Sequence, residues 1–156
     1  MTPETLEDRI KRHEGLRLRP YLDSLGHYTI GYGHEITSTE ALMYKEGVTL
    51  EWASETLQAD IQSHRDALLQ ALPWMTKIDP VREDVFVELC FNLGLAGLLA
   101  FHRTLTDAED GMWVKCSVDL LLSKWATQVK GRAVELAQII RTGQPGPSIA
   151  TPSTTA

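Results

Sequence analysis

The chain has little with which to cross-link itself or to enter a membrane. It holds two cysteines in 156 residues, Cys90 and Cys116, and no CxxC pair. Each stands among apolar residues at helical spacing, so buried free thiols are expected rather than a disulfide framework. There is no HExxH and no clustered Cys/His set, so neither metal nor cofactor is expected. The most apolar stretch, residues 93–101, is too short to span a bilayer. The first residues are polar and acidic, unlike a secretory signal, which predicts synthesis as a soluble cytoplasmic chain. If the target lies beyond the membrane, something else must let the protein out. Basic charge is also scarce: 15 Lys and Arg stand against 21 Asp and Glu, a formal net charge of −6. That argues against nucleic acid as a partner, because phosphate binding needs clustered cations. One local exception is the run of Arg9, Lys11, Arg12, Arg17 and Arg19. It reads either as a solvated face or as a local attraction for an acidic polymer.

What is present suits one compact domain, with two lobes. A hydrophobic content of 43% supplies a core. Thr2-Pro3 offers a cap-then-proline helix start, Leu6, Ile10 and His13 recur at helical spacing, and Gly15 ends the pattern. Residues 17–22 and 27–32 read as two short strands around the turn residues Asp23 to Gly26. Residues 36–47 look irregular, with room for a third short strand. A helix starts near Thr49, carries Leu57, Ile61, Leu68 and Leu72, and stops at Pro73. At roughly 20 residues it would be about 30 Å long, enough to connect two lobes. Asp79-Pro80 opens the most buried helix, which Gly94 and Gly97 break. Residues 101–124 read as two short helices interrupted near Gly111. A final helix runs from Gly131 to Arg141 and is ended by Gly143. From Gln144 onward the chain is too rich in Pro, Ser and Thr to order itself. The fold class is therefore α+β and mostly helical, with a small antiparallel sheet near the N-terminus. The sheet lobe covers about 13–50. The helical lobe covers 74–143 plus the N-terminal helix, and 144–156 forms the tail.

The chemistry concentrates in residues 14–34. Glu14 ends an amphipathic helix after Leu6 and Ile10. A carboxyl there is partly desolvated, which favours its protonated form and suits a general acid. Asp23 begins a turn, where solvent and backbone donors keep it ionised. Two carboxyls in opposed environments are the pattern of glycoside hydrolysis. Thr29, on the returning strand, could hold an attacking water, and His34 closes the stretch. Taken singly, each residue also has an ordinary reading: a surface charge, a turn former, a strand threonine, a hydrogen-bonded histidine.

Taken together they carry a resemblance. Glu14-Gly15, then Tyr21-x-Asp23, then Gly26, then Tyr28-Thr29-Ile30-Gly31-Tyr32-Gly33-His34 resembles the signature of the phage-type lysozymes, glycoside hydrolase family 24. The likeness continues through Phe91-Asn92-Leu93-Gly94, residues 101–105, Ser123-Lys124-Trp125, Gly131-Arg132-Ala133 and Arg141-Thr142-Gly143. It covers about residues 5–143. The resemblance implies a lysozyme-like fold, with the long helix joining the sheet lobe to the helical lobe. It implies Glu14 as general acid, Asp23 as second carboxylate across a cleft, and Thr29 as the residue positioning water. It also implies Arg132 near the catalytic Glu, and Phe91, Thr104 and Asp119 along the saccharide cleft. Core packing is an equal reading for Phe91, and helix capping for Arg132. Two departures stand out: residues 34–49 are short, and Asp119 stands where an amide is expected.

The family reading is an inverting muramidase acting on the β-1,4 bond between N-acetylmuramic acid and N-acetylglucosamine of bacterial peptidoglycan. It implies a monomeric phage endolysin, released by a holin to reach the wall. Two alternatives remain open. A lytic transglycosylase needs one acid and forms an anhydro sugar. A wall-binding phage module would keep the fold without turnover.

Overall fold

The computed structural model describes residues 2–146. Its internal contacts divide them into two compact units. One is Glu7–Ser63; the other joins the segment up to Leu6 to everything from His64 onward.

The first unit is the sheet unit. Helix α1, Leu6–Glu14, places Ile10 fully out of solvent and pairs Glu7 with Lys11 at 3.1 Å one turn apart. Its start differs from the expected Thr2-Pro3 cap. Residues up to Leu6 group with the other unit, and Glu4 is buried there, so tertiary packing overrides a local signal. Gly15 closes the helix with φ 73° and a bond from its N–H to the Lys11 carbonyl. The contacts place residues 7–14 with the strands, whereas the sequence pattern assigned this helix to the helical lobe. The Lys11 ammonium lies 5.4 Å from the centre of the Tyr32 ring, within this unit. Arg9, in the basic run, is buried rather than solvated.

Strands β1 (Arg17–Leu22), β2 (Tyr28–Gly31) and β3 (His34–Glu35) form an antiparallel sheet in that order. Tyr21 faces Thr29, and Thr29 faces Glu35. The β1–β2 register is irregular between Arg17 and Tyr21. Pro20 lies in that interval and lacks the N–H a regular ladder needs. The third strand thus lies before residue 36. The expected irregular stretch 36–47 instead holds helix α2, Ser38–Met43. Its signal was legible: Thr37 accepts from the Glu40 N–H at 3.1 Å, and the Glu40 carboxylate accepts from the Thr37 N–H at 3.0 Å. This capping box satisfies two otherwise orphaned donors. Helix α3, Leu50–Ala71, starts where Thr49 accepts from the Trp52 N–H and stops before Pro73, as expected. Residues up to Ser63 belong to the sheet unit and those from His64 to the other.

The helical unit is built around α4, Pro80–Leu99, which is capped by Asp79 and follows a 3₁₀ turn, Pro73–Lys77. Val85 to Cys90 are six consecutive buried residues, so α4 is enclosed on all sides over this stretch. Each large apolar side chain buried there contributes about 1.5–3 kcal/mol relative to exposure. Gly94, at φ 75° and ψ 160°, breaks the helical path; Gly97 does not. Helices α5 (His102–Glu109) and α6 (Trp113–Leu121) flank Gly111 as expected. The short α7 (Lys124–Val129), capped by Ser123, was not anticipated. Helix α8 (Gly131–Thr142) ends at Gly143 in the left-handed region and packs on α4, α6 and α7. The tail expected from Gln144 lies, from residue 147, outside the described residues. Both cysteines are free and buried. Burial, with the nearby Asp107 and Asp119, pushes the Cys116 thiol up to about 12.

Between α7 and α8, Lys130 adopts φ 52° and ψ −104°, the only positive φ outside glycine among the described residues. Such a conformation costs on the order of 1–3 kcal/mol. Lys130→Gly is expected to stabilise the fold by about 1 kcal/mol, raising Tm by roughly 2–4 °C. A calorimetric scan showing a lower Tm would mean that the lysine side chain outweighs the strain.

Candidate active site

Four of the predicted site residues, Glu14, Asp23, Thr29 and His34, fall in the sheet unit. Glu14 ends α1, and its carboxylate lies against Gly33. A Cβ added at Gly33 would stand 3.2 Å from Oε2. Gly33 also has φ 74°, so the Tyr-Gly-His corner needs glycine both for its backbone and to make room for this acid.

Asp23 is held by the turn it begins. Its Oδ1 accepts from the Leu25 and His27 N–H groups at 2.9 and 2.8 Å. The His27 bond first, with that from Leu25, holds the carboxyl below the usual aspartate range, so it is ionised at neutral pH. Thr29 is buried on β2 and donates its hydroxyl proton to the His27 carbonyl at 3.0 Å. Its oxygen keeps lone pairs that can accept a hydrogen from water.

Tyr21 joins these groups and was not singled out from the sequence as a site residue. It faces Thr29 across the sheet, and the Arg17 guanidinium lies 4.7 Å from the centre of its ring. Burial raises its phenol first, and the negative charges of Glu14 and Asp23 raise it further, against Arg17. The available signal was position: Tyr21 stands near the end of β1, two residues before Asp23.

His34 stands on β3. Its Nδ1 lies 2.7 Å from Asp60 Oδ2 on α3, and its ring meets Trp52 edge-on with centroids 6.1 Å apart. The hydrogen bond to Asp60 raises the imidazole above its ordinary value. A raised histidine pKa stabilises the fold below the unfolded-state value and loses that contribution as pH rises through the folded-state value. Asp60→Asn is expected to lower the urea midpoint most near pH 5.5–6, just below the ordinary histidine pKa of about 6.5, and progressively less above it. A deficit that is independent of pH would remove this pair as its cause.

The other four residues fall in the helical unit. Thr104 and Asp119 are brought together: both line a cavity of about 450 Å³ with Phe101, Arg103 and Leu122. Lys115 bridges Asp119 (3.2 Å) and the buried Asp107 (2.9 Å). Contact with the Asp107 side chain and the bond from Lys115 hold Asp119 below the usual range. Phe91 is half-buried on α4 and meets the His64 ring edge-on at 5.5 Å; it does not line the cavity of Thr104. Asn92 beside it accepts from the Trp125 indole at 2.7 Å. Arg132 donates from Nε to Glu88 at 3.0 Å. Glu88 is wholly buried and was overlooked, although a lone acid within Val85-Phe86-Val87-Glu88-Leu89-Cys90 signals a buried partner.

Residues 11–141 match the phage lysozyme family, most of the chain. The chain belongs to that family. A related endolysin of Acyrthosiphon pisum secondary endosymbiont phage 1 is 30% identical, over 86% of this chain and 87% of its own length. A probable T4-type lysozyme of Dictyostelium discoideum is 26% identical, over 89% of this chain and 95% of its own. The pre-baseplate central spike protein Gp5 of Enterobacteria phage T4 is 29% identical over 89% of this chain, which spans only 28% of that protein. The signature residues of the sheet unit and all but the last residue of the packed α4–α8 core lie within the matched span. Phage lysozyme membership makes the protein a lysozyme-type cell-wall hydrolase.

Proposed function

We infer that this protein is a muramidase that hydrolyses the β-1,4 bond between N-acetylmuramic acid and N-acetylglucosamine. Glu14 delivers a proton to the leaving oxygen. Asp23, kept ionised by its turn, faces the developing positive charge and assists the attacking water, which Thr29 orients. Thr104, Asp119 and Phe91 are assigned to saccharide contacts, and Arg132 to a supporting role. The observation that carries this reading is the arrangement of the 14–34 stretch: Glu14 lies against Gly33, backbone N–H groups of Leu25 and His27 clamp Asp23, and Thr29 is buried on the returning strand. Two carboxyls at one site, one clamped in its charged form, are what glycoside hydrolysis requires, and inversion further needs a water between them.

The physiological reading is a phage endolysin that lyses its host late in infection. Such a protein would be made in the host cytoplasm, admitted to the wall by a holin and active as a monomer on peptidoglycan. The net charge of −6 disfavours nucleic acid as the partner. The likeness to a spike protein supports a second role for the same chemistry, local wall digestion by the virion itself. Finding the protein in purified particles rather than in free lysate would favour that role.

Product analysis tests the chemistry. Digested peptidoglycan is expected to yield reducing muramic acid ends, first as the inverted anomer by NMR. Products lighter by one water would assign the protein to the lytic transglycosylases. Binding to sacculi without new reducing ends would make it a wall-binding module.

A further inference from the structure

A second cavity, of about 520 Å³, lies wholly in the helical unit and contains none of the residues assigned to catalysis. Its walls include two half-exposed indoles, Trp74 and Trp113, and its rim carries Lys77, Glu109 and Asp110. Gly111 opens onto it at φ 71°, with no atom within 4 Å of where a Cβ would stand.

Trp113 is anchored before any ligand arrives, and Trp74 stands on a turn that is pinned at its neighbour. Trp74 sits in the 3₁₀ turn beside Met75, which is fully buried. Trp113 carries the Arg82 guanidinium 4.3 Å from its ring centre. Arg82 is itself fixed: Nε donates to the Ile140 carbonyl at 2.6 Å, Nη2 to the Arg141 carbonyl at 3.3 Å, and Nη1 to Asp79 at 3.0 Å. Aromatic surface immobilised in advance lowers the ordering cost of binding.

The rim is polar but uncommitted. Among the described residues, Lys77, Glu109 and Asp110 enter no ion pair or side-chain hydrogen bond. Asp79, also in the wall, is committed to Arg82, and the two remaining carboxylates against one ammonium oppose a phosphate-rich or carboxylate-rich ligand. A wholly apolar partner would desolvate all three charges without compensation. Flat apolar faces with hydrogen-bonding groups at their edges match instead the C–H faces and peripheral hydroxyl and acetamido groups of a pyranose.

We propose that this cavity is a second glycan site, which binds an uncharged N-acetylhexosamine segment of the wall polymer and tethers the enzyme during hydrolysis. The choice of glycan rests on the muramidase reading above. A polymer held at two sites gains avidity without new chemistry at either.

The test uses the full-length chain, and the probe is the N-acetylglucosamine tetramer. Its titration is expected to shift the indole N–H resonances of Trp74 and Trp113 saturably, both in the parent and in Glu14→Gln. Trp74→Ala is expected to weaken the Trp113 response and the binding of intact sacculi by about tenfold or more. Hydrolysis of short soluble muropeptides should stay at the parental rate. Asp110→Lys, an exposed change, should weaken binding too and covers the case in which Trp74→Ala fails to fold. The site is overturned if neither indole moves while the protein still clears sacculi. It is overturned equally if free stem peptide shifts the indoles and the tetramer does not. Loss of reducing-end release with the indole shifts retained would instead count against the catalytic reading alone.

Discussion

Glu14→Gln is expected to lower the rate of peptidoglycan clearing by roughly 10²–10⁴-fold, the range attributed to general acid–base catalysis. That corresponds to about 3–5 kcal/mol of transition-state stabilisation. The amide fills the same space beside Gly33 but carries no transferable proton, so near-UV circular dichroism and Tm should be preserved. Asp23→Asn should also impair the enzyme, because the turn would then present an uncharged group to the developing cation. The two variants separate mechanisms: a one-acid transglycosylase would tolerate Asp23→Asn far better than Glu14→Gln. Clearing by folded Glu14→Gln within a few-fold of the parent would dismiss this residue as the proton donor.

Arg132→Met should have the largest effect on stability. Glu88 is entirely buried, and Arg132 Nε reaches it at 3.0 Å across two helices that pack on one another. Removing the cation leaves a carboxylate in the interior without this ion-pair partner, at a cost of about 3–5 kcal/mol. A loss of that size lowers Tm by roughly 6–20 °C in a domain of this length. The desolvation argument makes a second claim. Glu88→Leu combined with Arg132→Met should recover most of the loss, because a packed apolar pair replaces a buried charge pair at little net cost. Equal instability of the single and double variants by urea titration would show that the ion pair is not what matters there. Activity should be measured alongside, since Arg132 is assigned a supporting role in catalysis.

Much of this molecule was legible before folding, where the signal was local. Gly15 after Glu14, Asp79 before Pro80, Thr49 ahead of α3 and Gly143 after Arg141 all mark helix ends where the structure has them. The Asp23–Gly26 turn and its two strands were legible from turn chemistry and from alternation. Helix α2 was missed although Thr37 and Glu40 spell a capping box; the mixed composition of residues 36–47 hid it. The Thr2-Pro3 cap misled for the opposite reason, a good local signal in a segment that belongs with the other unit.

The site divides in the same way. Glu14, Asp23 and Thr29 could be named because they crowd one short stretch whose order of residues is itself the signal. Tyr21 could have been added from its place two residues before Asp23. Asp60 could not be assigned to His34, nor Arg132 to Glu88, because those partners lie 26 and 44 positions apart. Nothing local to Trp74 or Trp113 says that they share a cavity, or that Arg82 stacks on one of them. The amino-acid sequence by itself determined the family, the helix and strand boundaries set by caps and turns, and the residues offered for proton transfer. Those features depend on interactions within a few residues, which the order of the chain specifies directly. Tertiary structure alone decided which buried charges meet, where Thr104 joins Asp119, and which surfaces close into cavities. Those outcomes depend on contacts between distant segments, and only packing selects among the many pairings the chain allows.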